Sequence, residues 1–317
     1  LSGNIPFRVT IHTSFDTFKH VRHPIVTIGT FDGVHLGHSS ILRKLQEIAQ
    51  HVGGETVLLT FYPHPRMVLY PDDHGLELLT SQEEKADLLG QFGLDHLVIL
   101  PFTPEFSRKS AYDYVRDLLV SGLHTHTLVI GYDHRFGKNR EGDHHTLVEL
   151  SDNFGYHVVE IPAQQVDEAE ISSTKIRKSL HAGDVQLANR LLGHPYSISG
   201  RVVPGDGRGK TIGFPTANIE PDFQYKLIPL NGVYAAQCTV DTVVYKAVIN
   251  IGIRPTFDNG HDRKIEAHLL DYSGDLYNKT ISIRFLARIR DEQKFGSIVE
   301  LTRQIHNDIA TALTHLP

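Results

Sequence analysis

Apolar runs and helical repeats alternate along the first half of the chain. Runs over residues 25–31, 56–61, 96–100, 127–131 and 157–161 predict five short strands. After the first, Ile41, Leu42, Leu45, Ile48, Ala49 and Val52 recur at the spacing of an amphipathic helix that starts near His38. Thr80-Ser81-Gln82-Glu83 predicts a capping box before a helix carrying Leu88, Leu89 and Phe92. A further helix is predicted over 111–119 and a weaker one over 146–150. Strands that alternate with helices predict a mostly parallel, Rossmann-like sheet covered on both faces.

One or two short helices over 179–192, interrupted at Gly183-Asp184, close this pattern, and Gly193-His194-Pro195-Tyr196 breaks it. Beyond that point the texture changes to successive strands, over 196–203, 232–240, 243–251, 264–271 and 281–290. Strands with little helix between them predict a small antiparallel barrel or sandwich, the barrel being the fold expected. Residues 297–313 carry Ile298, Leu301, Ile305, Ile309 and Leu313 at helical spacing and predict one long terminal helix over the barrel. The expected fold is therefore α/β plus β, with domains over 1–195 and 196–317.

Length and composition agree with two cores: 317 residues, 40% hydrophobic and 21% charged. The net charge of −6 supplies no basic field for nucleic acid or an anionic membrane, so an anionic ligand must be held by local groups. No apolar stretch reaches the roughly 18 residues that span a bilayer. Leu1-Ser2-Gly3-Asn4 shows no secretory signal, and Cys238, the single cysteine, excludes an intrachain disulfide; both lead us to expect a cytoplasmic protein. The 21 histidines show no zinc-ligand spacing.

The chemistry concentrates where the predicted strands end. Gly29-Thr30-Phe31-Asp32-Gly33-Val34-His35-Leu36-Gly37-His38 is a strand, a tight turn and a helix entrance with two histidines three residues apart. A helix N-terminus offers N–H groups and a positive dipole end, which suits a phosphate, and two histidines add donors there. Other polar segments follow strands at Pro63-His64-Pro65-Arg66 and over 131–142, including Gly131, Asp133, Arg135 and Arg140. Ser172, Ser173 and Thr174 precede or open a helix that also carries Lys175 and Arg177. Capping explains the hydroxyls, but cations on a first turn are disfavoured unless an anion binds.

In the second half, residues 204–218 read as a glycine-dense loop with Gly207, Arg208, Gly209 and Lys210, apt to hold phosphates. Gly209-Lys210-Thr211 is not a P-loop, because the required earlier glycine falls at Pro204. Thr216 and Asn218 alternate along an extended segment, so their oxygens point to one side and can hold Mg²⁺.

Together the first-half motifs resemble the adenylyltransferase module of the prokaryotic bifunctional riboflavin kinase/FAD synthetase family. Gly213-Phe214-Pro215-Thr216-Ala217-Asn218 resembles that family's riboflavin kinase signature. Asn231-Gly232-Val233-Tyr234, Asn250-Ile251-Gly252-Ile253-Arg254-Pro255-Thr256-Phe257, Glu266-Ala267-His268 and Arg290-Asp291-Glu292-Gln293-Lys294-Phe295 continue it. His134 stands where the family more often has Phe, and Lys210 where Arg is more usual. The resemblance implies ATP-dependent conversion of riboflavin to FMN and of FMN to FAD, with Mg²⁺ accompanying ATP. It implies Glu266 as general base, Thr216 and Asn218 on Mg²⁺, and His35 and His38 on the α-phosphate. Arg177 with Ser173 or Thr174 would take the β,γ side, and Arg290 and Phe295 would border the flavin. Gly29, Phe31, Asp32, His64, Gly131, Asp133, Gly207, Gly209 and Lys210 would contribute to substrate binding. The sequence leaves the oligomeric state open.

Overall fold

Successive side chains of the early strands point to opposite faces and are buried on both, so two cores result. The computed structural model describes residues 8–72, 75–162, 171–205, 207–255 and 261–316. Asp206, Thr256 and Phe257, and the side chains of Arg208 and Arg254, lie outside the described residues. Two compact units are present: Leu1–Leu76 with Thr80–Ser172, and Glu77–Leu79 with Ser173–Pro317.

In the first unit, strands β1 (Thr10–His12), β2 (Ile25–Ile28), β3 (Thr56–Tyr62), β4 (His96–Pro101), β5 (Thr127–Gly131) and β6 (His157–Ile161) form one sheet. Its order is β1-β4-β3-β2-β5-β6, and every pairing is parallel. Helices α1 (Leu36–Val52), α2 (Pro65–Leu69), α3 (Gln82–Gln91), α4 (Ala111–Tyr114, continued by a π-helical segment Val115–Gly122) and α5 (His144–Phe154) fill the connections. Ile25, Leu58, Leu97 and Val129 pack with Leu42, Leu45 and Leu89 of α1 and α3. Val26, Ile28, Val57 and Leu59 pack on the other face with Tyr114, Leu118 and Leu119.

Three expectations shift. β1 escaped notice because three residues carry no readable period, and it joins only the sheet edge beside β4. The first run ends as a strand at Ile28 rather than 31, because Phe31 takes a positive φ of 46° in the turn that follows. The capping box lies one residue later than expected: Ser81 Oγ accepts from Glu84 N at 3.1 Å, and Glu84 Oε2 accepts from Ser81 N at 3.0 Å.

The second unit opens with helices α6 (Ser173–His181) and α7 (Val185–Leu192), the latter capped by Asp184. Strands β7 (Tyr196–Val203), β8 (Ala217–Pro221), β9 (Gly232–Val240), β10 (Val243–Pro255), β11 (His261–Leu269) and β12 (Thr280–Arg290) close into a barrel in the order β10-β11-β8-β7-β12-β9. A short helix, α8 (Arg208–Thr211), interrupts the β7–β8 connection. β8 has one buried apolar residue, Ile219, so its sequence shows no apolar period, only the polar alternation of Thr216 and Asn218 at its start. Helix α9 (Ile298–His315) packs Ala312 and Ile309 onto Val233, Ala235, Val248 and Ala287. The barrel interior is filled by Tyr196, Tyr234 and Phe285, all fully buried, with Tyr234 and Phe285 edge to face at 5.5 Å.

Phe285 touches both tyrosines and leaves a large void when truncated. Phe285→Ala is expected to cost about 3–5 kcal/mol of stability, read as a lowered urea midpoint.

Candidate active sites

β2 lies between β3 and β5: the chain steps outward from β2 through β3 to β4, then crosses back to β5 on the other side of β2. In an open parallel sheet such a reversal leaves a crevice beyond the carboxyl ends of the strands. The segments after β2, β3 and β5 therefore share one rim, and they carry Gly29 to His38, His64, and Gly131 to Asp133.

The turn after β2 is tightly held. Asp32 is buried, and its Oδ1 accepts from Thr80 N at 3.1 Å and Thr80 Oγ1 at 3.3 Å. Gly33 N donates to Thr80 Oγ1 at 3.3 Å. A Cβ on Gly29 would approach the Phe31 ring to 2.9 Å, so the ring can lie over the turn only beside a glycine. His35 is the N-cap residue of α1, with His38 in its first turn, as the sequence predicted. Phe31, His38 and His35 stack in that order, at centroid separations of 4.3 and 3.7 Å. His38 Nδ1 is buried with no hydrogen-bond partner among the described residues. Burial, followed by the nearby His35 and Lys85, holds the His38 imidazole well below the ordinary histidine range, so the ring is neutral at pH 7.

Lys85 is the residue that sequence reading missed. It occupies the core-facing side of α3 with Ala86 and Leu89, and only 4% of it is exposed. Its Nζ donates to the Thr30 carbonyl at 2.7 Å. Burial brings its ammonium down to about 8, against the opposing pull of Asp32. A lysine in an amphipathic helix reads as solvated, and no local signal marks this one as buried.

The remaining candidates of this half divide between the units. His64 caps α2, its Nδ1 accepting from Arg66 N at 3.2 Å. After β5, His134 N donates to Gly131 O at 3.1 Å and Asp133 is exposed. His134 stacks on Phe136 at 5.8 Å, and its Nε2 is buried with no partner among the described residues. Ser173, Thr174 and Arg177 belong to α6 in the second unit, where Arg177 Nε donates to Glu77 O at 2.8 Å.

The barrel brings its candidates into one place. Glu266 on β11 is paired across the ladder with Asn218 on β8 and with Asn250 on β10. All three line a cavity of about 380 Å³, together with Thr216, Gly207 and Gly209. Asn218 Oδ1 is buried and has no hydrogen-bond partner among the described residues. Gly209 approaches the Phe214 carbonyl so closely that a Cβ would collide with it, which fixes glycine there. A second cavity of about 500 Å³ shares Gly207 and Thr216 with the first and adds Lys210, Tyr272 and Tyr277.

Arg290 and Phe295 stand on the wall of the first cavity, with the guanidinium 5.7 Å from the ring centre. The Arg290 guanidinium is already committed: Nε and Nη2 reach the two Asp308 oxygens at 2.8 and 2.7 Å, and Nη1 donates to Asp291 O at 2.8 Å. Asp308, 3% exposed on α9, is a second residue that sequence reading missed. His268 holds the Pro215 carbonyl at 2.8 Å, and its ring meets Phe214 edge on, as does that of His306 from α9.

Comparison with known proteins adds an independent line. A family model described as FAD synthetase matches residues 18–175, and one described as riboflavin kinase matches residues 192–316. The bifunctional riboflavin kinase/FMN adenylyltransferase of Bacillus subtilis (strain 168) is 38% identical over 310 residues, covering 93% of this chain and 97% of the relative. The protein of that name from Escherichia coli (strain K12) is 38% identical over 289 residues, covering 91% of each. A crystal structure from Streptococcus pneumoniae, described as a macrolide-efflux protein, superposes with a TM-score of 0.86 at 29% identity and covers 96% of this chain and 98% of its own. Among the described residues of the present chain, no helix is long and apolar enough to cross a membrane.

The buried His134 ring gives a testable stability signature. Burial brings its imidazole down to about 4, assisted by Arg140 and opposed by Asp133. The folded state thus refuses a proton that the unfolded chain accepts near pH 6.5. Stability is fully present above that pH and is lost as pH falls toward 4. His134→Phe is expected to lower the melting temperature less than the parent chain between pH 7 and pH 5, by scanning calorimetry.

Proposed function

The chain belongs to the bifunctional riboflavin kinase/FMN adenylyltransferase family, and from that premise we propose how its residues divide two reactions. The enzyme phosphorylates riboflavin to FMN with one ATP, then transfers AMP from another ATP to FMN, giving FAD and pyrophosphate. We assign adenylyl transfer to residues 1–195 and phosphorylation to residues 196–317.

Phosphorylation rests on the cross-strand row of Asn218, Glu266 and Asn250 where two cavities adjoin, which is the observation that carries this reading. Riboflavin occupies the cavity walled by Arg290 and Phe295, and ATP the adjoining one, its phosphates over Gly207, Gly209 and Lys210. Glu266 takes the proton of the ribityl 5′-hydroxyl as that oxygen bonds to the γ-phosphorus and the bond to ADP breaks. Asn218 Oδ1, without a hydrogen-bond partner among the described residues, and the Thr216 hydroxyl are oxygen donors of the kind Mg²⁺ selects. Asn218 and Thr216 would hold Mg²⁺, which would supply charge neutralisation to the phosphates of ATP. The Asp308–Arg290 pair keeps the guanidinium flat on the cavity wall, so Arg290 shapes the flavin site rather than reaching across it.

Adenylyl transfer needs no activated side chain, because the FMN phosphate oxygen is the nucleophile. It bonds to the α-phosphorus of ATP, and pyrophosphate leaves. His35 and His38, stacked at the entrance of α1 with His38 neutral, donate N–H groups to the α-phosphate. Gly29, Phe31 and Asp32 shape that turn, while His64, Gly131 and Asp133 occupy the neighbouring strand ends. Ser173, Thr174 and Arg177 of α6 take the β- and γ-phosphates. A cytoplasmic setting is part of the proposal, in keeping with the lone buried thiol of Cys238, which burial pushes up to about 12.

Incubation of the purified chain with riboflavin, ATP and Mg²⁺, with products separated by chromatography, tests the whole scheme. His38→Ala is expected to lower FAD formation by roughly 100-fold or more while FMN formation continues. Glu266→Gln is expected to lower FMN formation by about 100-fold or more and leave conversion of added FMN to FAD intact. Loss of both activities in either folded variant would contradict separate sites.

A further inference from the structure

The core-facing side of α3 consists of Lys85, Ala86, Leu89 and Gly90, and a lysine is the least suited of these to burial. An ammonium withdrawn from water needs compensating groups, whereas Met or Leu would fill the same space without that cost. The compensating groups of Lys85 all lie on the turn after β2. Its Nζ holds the Thr30 carbonyl at 2.7 Å, and the Asp32 carboxylate attracts it. Facing it from α1 are His38 and, stacked beyond, His35. On α3 itself the neighbouring acids are turned to other work, Glu83 and Glu84 both bonding Ser81 at the helix start.

Asp32 is itself tied to Thr80 through two hydrogen bonds, so its charge is shared with donors other than Lys85. The two imidazoles bring N–H dipoles to the turn, and His38 brings no positive charge at neutral pH. Lys85 is thus the cation built into this turn, within a chain whose net charge of −6 offers no general attraction for a nucleotide. The residue after Thr30 is Phe31, whose positive φ and ring stack depend on the path of the backbone there.

We propose that Lys85 is a positioning residue for adenylyl transfer: its ammonium fixes the Thr30 carbonyl, and with it the Phe31–His38–His35 stack, and sets a cationic field behind the imidazoles that meet the phosphate. The inference rests on the assignment of His35 and His38 to adenylyl transfer. It adds a residue that touches neither substrate and acts through the turn and the imidazoles. As negative charge develops on the transferring phosphoryl oxygens, a buried cation nearby is screened little and costs no reorganisation. Its charge also opposes protonation of His38, keeping the ring a neutral donor.

The test uses the full chain, FMN, ATP and Mg²⁺ for adenylyl transfer, and riboflavin phosphorylation on the same preparation as the control for folding. With an ammonium near pKa 8, kcat/KM for FMN is expected to fall above about pH 8 in the parent enzyme. Lys85→Arg keeps the charge and should carry that fall out of the alkaline range, while retaining much of the activity. Lys85→Met should lower kcat for FAD formation by roughly 10–100-fold, change KM less, and abolish the alkaline fall. Riboflavin phosphorylation should stay within about twofold in both variants.

The proposal is overturned if Lys85→Met makes FAD at the parent rate, or if the alkaline fall persists unchanged in Lys85→Arg. Equal impairment of both variants, with phosphorylation normal, would also sink it, since charge would then be irrelevant. Where Lys85→Met fails to fold and loses both activities, the parent profile decides: no fall near pH 8 overturns the proposal. Failure of the underlying reading is separable. If His38→Ala still makes FAD, the site has been misassigned whatever Lys85 does; if His38→Ala is inactive and Lys85→Met is normal, only the role of Lys85 is wrong.

Discussion

A parallel strand whose successors lie on both sides leaves its carboxyl end uncovered, and β2 is that strand. The chain steps outward from β2 through β3 to β4 and then crosses back to β5, so the connections beside the end of β2 run in opposite directions. Everything at the first site follows from this opening. Helix α1 must begin at the gap because β2 ends there, and its free N–H groups face the space left by the reversal. Phe31 can stack on His38 only because the turn between strand and helix is tight, with Phe31 at positive φ and Asp32 held by Thr80.

The barrel solves a different problem by a different constraint. Closing six strands fixes the register of each pair, so Asn218, Glu266 and Asn250 must stand in a row across β8, β11 and β10. The pleat then places Thr216 on the side of Asn218, two residues away. One row brings together carboxylate and amide oxygens from segments that are far apart in sequence. The helix α9 completes that wall through Asp308, whose two oxygens grip Arg290 at the end of β12.

Much of both sites could be read from sequence because it is locally encoded. Gly29 to His38 carries its strand, turn and helix entrance in one stretch, and Thr216 to Asn218 carries its alternation. The strands that were read, such as 56–61 and 127–131, have buried apolar runs. β1 and β8 lack them, since an edge strand of three residues and a strand with one buried aliphatic show no period. Lys85 and Asp308 went unread for another reason. Each is a charged residue on an amphipathic helix, where solvent exposure is the ordinary expectation. Only the tertiary arrangement shows that one meets Thr30 and the other Arg290. The capping box was misplaced by one residue because Thr80 and Ser81 are equally good caps in sequence. The structure gives Ser81 to the helix and Thr80 to Asp32.

On the proposed assignment, those buried charges let an acidic chain handle anionic substrates. A surface cation in such a chain would be screened and offset by its neighbours, whereas a buried one keeps its field. Burial in turn demands a partner, and each partner does structural work: Asp308 holds Arg290 against the cavity wall, and the Thr30 carbonyl holds Lys85 beneath the turn after β2. The same low-dielectric surroundings that make Lys85 effective strip the proton from His38. Cation and imidazole therefore cannot both carry charge at the turn. On the proposed assignment, the imidazole presents an N–H dipole at contact distance while the lysine supplies the charge from behind.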